Sequence, residues 1–431
     1  MMIMKKNITL EKIIYVLILI IMIGTLVLKF ASYIPIITKN IDDFTHKRVY
    51  LLWFSIIFLL MTYLYSIISG KVKINYVDIL MYILIIFAFL SASFAIDFNK
   101  AIFGETGRQE GLLTILSYYF ILLNSRALKN PKYKKNIIKT FIYLGIFQCF
   151  YSLLQAYTDL KFIKHFPTKP HMAYGLCSNP NFYASYMLMQ LLIVSVLYLY
   201  EKKYIYLILI ILFANSLYLA QSTGPVLAYL VTVIFMFLYF KDKKLKLLKV
   251  LIITLLTFVF SEITSSYVQN KILLNEVNSD HNIALELVDT VKTVKEDKSI
   301  ENIGNGRIFV WKRSLPLIKE YWLFGCGLDN FAYAYPQTGY TRFDKAHNVY
   351  IQIAVTNGVI ALSIYLVLCF IIFIKGFKLK SKLSIALYMA FIGYSIQAFF
   401  NISVIEVAPF FYIFMGFLLS ENNNNFMVEE K

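Results

Sequence analysis

The chain has 431 residues, 59% of them hydrophobic and only 16% charged, with a mean hydropathy of +0.65. Soluble domains are nearer half apolar and need charge to cover their surface, so this composition excludes a soluble globular protein and points to the membrane. The net charge of +17 reads as a sidedness signal, with no nucleic-acid partner expected, because Lys and Arg collect in cytoplasmic loops.

Apolar runs predict spans near 13–30, 49–69, 77–96, 111–124, 137–157, 181–200, 204–220, 225–240, 250–266, 348–374, 383–400 and 404–420. The first follows Lys5, Lys6 and Lys12 and has no small-residue cleavage site, so it reads as a retained helix. The 111–124 and 404–420 spans are short against the ~20 residues a crossing needs. Alternating the gaps from an inside start puts 1–12, 70–76, 125–136, 201–203, 241–249, 375–382 and 421–431 together; these hold 22 basic and 6 acidic residues. The other side is close to balance. The expected fold is therefore an all-α polytopic transmembrane helix bundle of about 12 spans. It forms a single membrane domain, 1–431, in the cell (plasma or inner) membrane, with both termini cytoplasmic. A tail at 421–431 reads as disordered, and a long extracytoplasmic loop, 267–347, joins spans nine and ten.

That loop has helical periodicity at 282–296 and 306–322. In the second stretch Ile308, Trp311, Leu315, Ile318 and Trp322 step along one face, opposite Lys312, Arg313, Lys319 and Glu320, with Pro316 inside. Such a helix either lies in the outer interface with its tryptophans at headgroup depth or packs on the bundle. Cys177 and Cys326 both fall outside, which leaves a disulfide open.

All five histidines (His46, His165, His171, His281, His347) fall outside and none lies in a span, which disfavours an intramembrane proton relay. Their spacing makes no metal-ligand set, so no metal and no cofactor are expected. Asp78, Lys139, Glu262 and Glu406 sit at span ends, and the near absence of charge within spans argues against an ion-coupled transporter. With the N-terminus inside, every even-numbered span starts outside, where free N–H groups and the dipole favour anions. Gly104 through Gly111 precedes the fourth span, Ser178-Asn179-Pro180-Asn181 opens the sixth, Ser222-Thr223-Gly224-Pro225 the eighth, and Ala346-His347-Asn348 the tenth. A histidine at a helix start is disfavoured as a cation, and a neutral imidazole accepts a proton from a hydroxyl. Arg108 and Arg307 are permanent cations whose fork matches phosphate oxygens. One base and two arginines at the outer headgroup level suit attack of a hydroxyl on a lipid-linked diphosphate sugar.

Gly306-Arg307, Trp311, Leu323 through Phe331, Ala346-His347-Asn348-Val349-Tyr350-Ile351-Gln352 and Asn357-Gly358-Val359-Ile360 resemble the signature block of the O-antigen ligase and O-antigen polymerase superfamily. Phe103-Gly104 through Arg108, Glu110 through Leu113 and Ser178 through Asn181 resemble further pieces of it. The resemblance covers about 97–420. Thr223 stands where the family often has Arg, Trp322 where it has Pro, and Ala361 where it has a second Gly. The resemblance implies a metal-independent, inverting glycosyltransferase of cell-envelope polysaccharide biosynthesis, acting at the outer face. An undecaprenyl-diphosphate-linked glycan would be donor and a glycan, lipid or protein hydroxyl acceptor. His347 and Arg307 would be catalytic, with Arg108 and Arg307 on the donor diphosphate. Asn179, Asn181, Tyr335, Arg342, Asn348 and Gln352 are candidate substrate contacts, as are Tyr333 and Tyr340. The alternative activity is a flippase or exporter of the same lipid-linked glycans.

Overall fold

The computed structural model describes residues 9–32, 41–157, 172–279, 306–336 and 343–420. Among them every regular element is helical: α1 Leu10–Ser32, α2 Ile41–Ile68, α3 Tyr76–Ser93, α4 Phe98–Phe103, α5 Leu112–Ala127, α6 Pro131–Tyr157, α7 Pro180–Glu201, α8 Tyr204–Leu219, α9 Thr223–Tyr239, α10 Lys244–Ser279, α11 Arg307–Glu320, α12 Phe331–Ala334, α13 Val349–Asn357, α14 Val359–Gly376, α15 Lys382–Gln397 and α16 Ala408–Leu419, with short 3₁₀ turns before α10 and after α15. Among the described residues α1, α2, α3, α6, α7, α10, α14 and α15 are long and apolar enough to cross a bilayer, while α5, α8, α9 and α16 are apolar but shorter. The chain is a multi-pass, all-helical membrane protein.

Helix α7 is the axis of the bundle. It is buried continuously from Phe182 to Leu199, as expected of a helix apolar on all sides, and it packs against α15 and α8. The two spans expected to be marginal are α5 and α16, which pack on each other and are buried along most of their length. A helix enclosed by protein need not match the bilayer. Irregular backbone beside it is tolerated where protein groups satisfy it. The 401–407 segment before α16 meets this condition: Ala408 N donates to Val404 O at 2.8 Å, and Glu406 accepts from Arg48 and Ser178.

Three expectations need correction. First, α10 does not stop at 266 but runs to Ser279, 36 residues. That is about 54 Å of helix, longer than the hydrocarbon core, because polar residues continue a helix once it has left the lipid.

Second, the predicted span 348–374 is two helices, α13 and α14, broken at Gly358 (φ +88). The loop after α11 seals the break. Cys326 N and Gly327 N donate to the carbonyls of Val355 (2.9 Å) and Thr356 (3.2 Å), Val359 N donates to Trp322 O (2.7 Å), and Ser91 Oγ donates to Thr356 O (2.7 Å). A Cβ on Gly358 would meet Leu323 O at 2.2 Å, and one on Gly325 would meet Thr356 C at 2.1 Å, so both positions require glycine. Hydropathy cannot register such a break, because residues on both sides of it are apolar.

Third, α11 forms where expected, with Pro316 inside it, but its protein-facing stripe is Val310, Ser314 and Leu317; Leu315 and Trp322 are exposed. The helix has two apolar stripes, and in a membrane protein periodicity alone does not say which one meets protein. The inner stripe packs with Cys326, Phe331, Tyr335 and Val355 in a small separate core. The 282–296 helix falls outside the described residues.

As expected, charge stands at the ends of the spanning helices, and there it is buried in pairs. Arg126 of α5 pairs through Nη1 with Asp78 of α3, and Arg48 Nη2 of α2 is 2.7 Å from Glu406 Oε1, all four side chains being buried. Each cation is compensated within the protein, which an averaged hydropathy does not register. All four cysteines are free, so Cys177 and Cys326 do not pair.

Candidate functional site

Three segments meet at one end of the bundle: the α3–α5 connection (94–111), the 323–336 stretch and the 343–352 stretch. Asn330 begins the assembly. Its Oδ1 accepts from Asp97 N (2.8 Å), and its Nδ2 donates to Asp97 O (3.1 Å) and Leu328 O (2.9 Å). Asp329, at φ +56, continues it. Oδ2 accepts from Glu105 N (2.7 Å) and Glu110 N (3.1 Å), the two amides that flank Arg108, while Oδ1 binds the buried Lys345 ammonium. The Arg108 turn is thus closed from outside by Asp329. It is closed from within by Gly104, where a Cβ would meet Gln109 Cα at 2.4 Å. Glu105 adds Lys100 Nζ at 2.9 Å and the Tyr333 hydroxyl at 2.9 Å.

The His347 backbone is held by three side chains. Gln352 Oε1 accepts from Ala346 N at 2.9 Å, Trp311 Nε1 donates to Ala346 O at 3.0 Å, and Asn348 Oδ1 caps α13 by accepting from Tyr350 N and Ile351 N. His347 itself sits in the left-handed region at φ +49, a conformation that persists in a non-glycine residue only when its surroundings enforce it. Its imidazole has no hydrogen-bond partner among the described residues. Arg108 Nε is bound to Asp344 Oδ2 at 2.8 Å, and its guanidinium lies over the Phe182 ring, 5.6 Å from the centroid. Arg307, the first residue of α11, has no ion-pair partner among the described residues.

The imidazole of His347 is pushed below its ordinary range, first by burial. Asp344 opposes this, and the charges of Arg307, Arg108 and Lys345 add to it. The direction matches the sequence expectation, although burial rather than the helix end is the chief cause. Asp344 is held below the usual carboxylate range: burial acts upward, but Arg108 and the other cations outweigh it. Beneath these groups lies a cavity of about 70 Å³ lined by Glu110, Asp329, Lys345, Gln352, Asn357 and Ser403, among others. Burial raises the Glu110 carboxyl to about 7, against the opposing pull of Lys345 and of the Tyr118 hydroxyl, which donates to it at 2.6 Å.

Of the expected site residues, the structure brings Arg108, Arg307 and His347 into one electrostatic neighbourhood, with Asn348 and Gln352 positioning the histidine. Asn179 caps α7 through Asn181 N (2.8 Å), and Asn181 Oδ1 accepts from Ser222 Oγ (2.6 Å), so both oxygens already serve the starts of α7 and α9. Tyr335 is buried against Phe331, its hydroxyl without a partner among the described residues. Arg342, Tyr340, His165, His171 and His281 fall outside the described residues, as does the His46 side chain. Sequence reasoning missed Asp329, Asp344, Lys345 and Glu110. Asp344 and Lys345 stand directly before Ala346-His347, and an adjacent acid and base in a charge-poor chain is a readable signal. Asp329 reaches the Arg108 turn through amides more than 200 positions away and gives no local signal of that role.

Residues 207–366 match the family model described as O-antigen ligase. No curated protein matches the chain. The matched region contains Arg307, the loop that seals the helix break and the His347 segment, whereas the Arg108 turn lies before it. A ligase-like glycosyltransferase working on lipid-linked glycan and acceptor within a membrane accords with that match. The block from Gly306 to Ile360 lies wholly inside the matched region, so the resemblance to the O-antigen ligase superfamily is supported over 207–366.

Proposed function

We propose that the protein transfers or polymerises a glycan from an undecaprenyl-diphosphate-linked donor onto an acceptor hydroxyl, with inversion and without a metal. The reaction takes place at the outer face of the cell membrane, and both termini lie in the cytoplasm. The observation that carries this reading is a half-buried imidazole, His347, biased to its neutral form beside Arg307 and Arg108. A neutral imidazole takes the proton of the attacking hydroxyl as it adds to the anomeric carbon. The arginines neutralise the departing lipid diphosphate, Arg307 with its whole fork and Arg108 with the nitrogens that Asp344 leaves available. A groove of about 690 Å³ between α8, α9 and α10 has Gln221, Ser222 and Thr223 at one end and Leu217, Val226 and Phe258 along its wall. Its polar end is linked through Ser222 and Asn181 to the start of α7, where Arg108 rests on Phe182, and it suits a polyprenyl chain.

Purified protein given lipid-linked oligosaccharide, alone and then with candidate acceptors, tests the proposal. Product is expected from wild type, a ladder without added acceptor marking a polymerase. His347→Ala and Arg307→Ala should make none while inserting normally. Wild-type transfer by both variants would overturn it. Movement of donor between liposome leaflets without product would favour an exporter.

A further inference from the structure

At the other end of α3 and α5 from the Arg108 turn, a second polar cavity is built from three helix junctions. It is about 50 Å³ and is lined by Val72 and Lys73 before α3, Arg126, Ala127 and Lys129 at the end of α5, Lys134 in the first turn of α6, and Ser420 after α16. Among the described residues four cations and no carboxylate line it. Two of the cations, Arg126 and Lys134, are more than nine-tenths buried. Arg126 gives Nη1 to Asp78, but its Nε is shielded from solvent and has no partner among the described residues. Asp78 is itself fully used, accepting from Arg126, Tyr63 (2.8 Å) and Asn75 N (2.8 Å). Lys134 Nζ donates to Ser420 Oγ at 3.1 Å. A cavity of like charge with an unsatisfied buried N–H is completed by an anion rich in acceptor oxygens.

An adjoining cavity of about 230 Å³ shares Val72, Ala127 and Lys129 and adds Leu10, Glu11 and Ile14 of α1, Ser66 of α2 and Lys71, with Glu11 Oε2 accepting from Asn130 N at 3.1 Å. A cationic pocket beside one that joins Leu10, Ile14 and Val72 to polar groups, at the ends of membrane-crossing helices, has the mixed character of a phospholipid's phosphate and glycerol region. We propose that this pocket binds the phosphate of an anionic phospholipid, with Arg126, Lys134, Lys73 and Lys129 around the phosphate and the glycerol end against Leu10 and Ile14. The site is separate from the transfer chemistry and clamps the ends of α2, α3, α5, α6 and α16.

Native mass spectrometry and thermal unfolding of the full detergent-purified chain test this, with phosphatidylglycerol, phosphatidylcholine or inorganic phosphate as the probe. Lys73 and Lys129 are exposed, so Lys73→Gln with Lys129→Gln should fold. Lys132→Gln with Lys135→Gln removes the same charge from the same face outside the cavity. Phosphatidylglycerol should bind and stabilise wild type and the control pair, and bind the Lys73/Lys129 pair about tenfold more weakly, with phosphatidylcholine unaffected throughout. Equal binding of the two lipids, or an equal loss in both lysine pairs, would overturn the site as diffuse surface attraction. Stabilisation by millimolar inorganic phosphate equal to that by phosphatidylglycerol would overturn the lipid as occupant. Binding of phosphatidylglycerol only after removal of 421–431, which begins with Glu421 directly after Ser420, would assign the pocket to the chain's own acidic tail.

Discussion

Asp329 holds Lys345 on one carboxylate oxygen and the amides of Glu105 and Glu110 on the other. One buried side chain thereby ties the turn that carries Arg108 to the segment that carries His347. Asp329→Asn leaves the Lys345 ammonium buried without its counter-charge, a change that typically costs about 3–5 kcal/mol. Thermal unfolding should fall accordingly, and transfer should be lost. Asp329→Asn combined with Lys345→Met should recover most of the stability without recovering activity. Full activity in the double variant would show that Asp329 positions nothing.

The acid limb of the pH–rate profile should report His347. Transfer requires the neutral imidazole, so activity falls as pH drops through its pKa, which lies below the ordinary imidazole value. Asp344 is the one neighbouring charge that raises that pKa. Asp344→Asn should therefore move the acid limb to still lower pH, measured as kcat against pH with saturating donor. A shift to higher pH would contradict the assignment.

Glu110 predicts a pH-dependent stability. Its folded pKa of about 7 lies above the ordinary glutamate value of 4.5, so the native state holds a proton that the unfolded chain has already released. Stability from this group declines as pH rises from 4.5 toward 7, by about 3 kcal/mol in all. Glu110→Gln keeps an acceptor for Tyr118 and carries no charge. It should match wild type in thermal unfolding below pH 4.5 and exceed it above pH 7. A difference that does not change with pH would refute this account.

The helix break should be intolerant of any side chain. Gly358→Ala puts a Cβ against Leu323 O in a left-handed backbone, a combination expected to cost about 1–3 kcal/mol from strain alone. Because α13 carries Asn348 at its start, transfer should fall with the melting temperature. Ala361→Gly, at a buried position two residues into α14 without close constraint on its φ, should leave transfer unchanged.

The chain's composition and hydropathy alone determined that this is an all-helical, multi-pass membrane protein, because a bilayer imposes length and polarity on every crossing. The Gly306–Ile360 motifs likewise carried the resemblance to the O-antigen ligases, since they are contiguous enough to be read as a pattern. Tertiary structure alone decided the rest. Only packing shows that α13 and α14 are separate helices, because the hydrogen bonds that seal Gly358 come from Trp322, Cys326 and Gly327. Only packing shows that α11 turns Val310 and Leu317 inward and Leu315 outward, because lipid accepts either stripe. Buried charges such as Arg48, Arg126 and Asp329 become acceptable only through partners that the fold brings against them. A linear reading sees their cost and cannot see what compensates it.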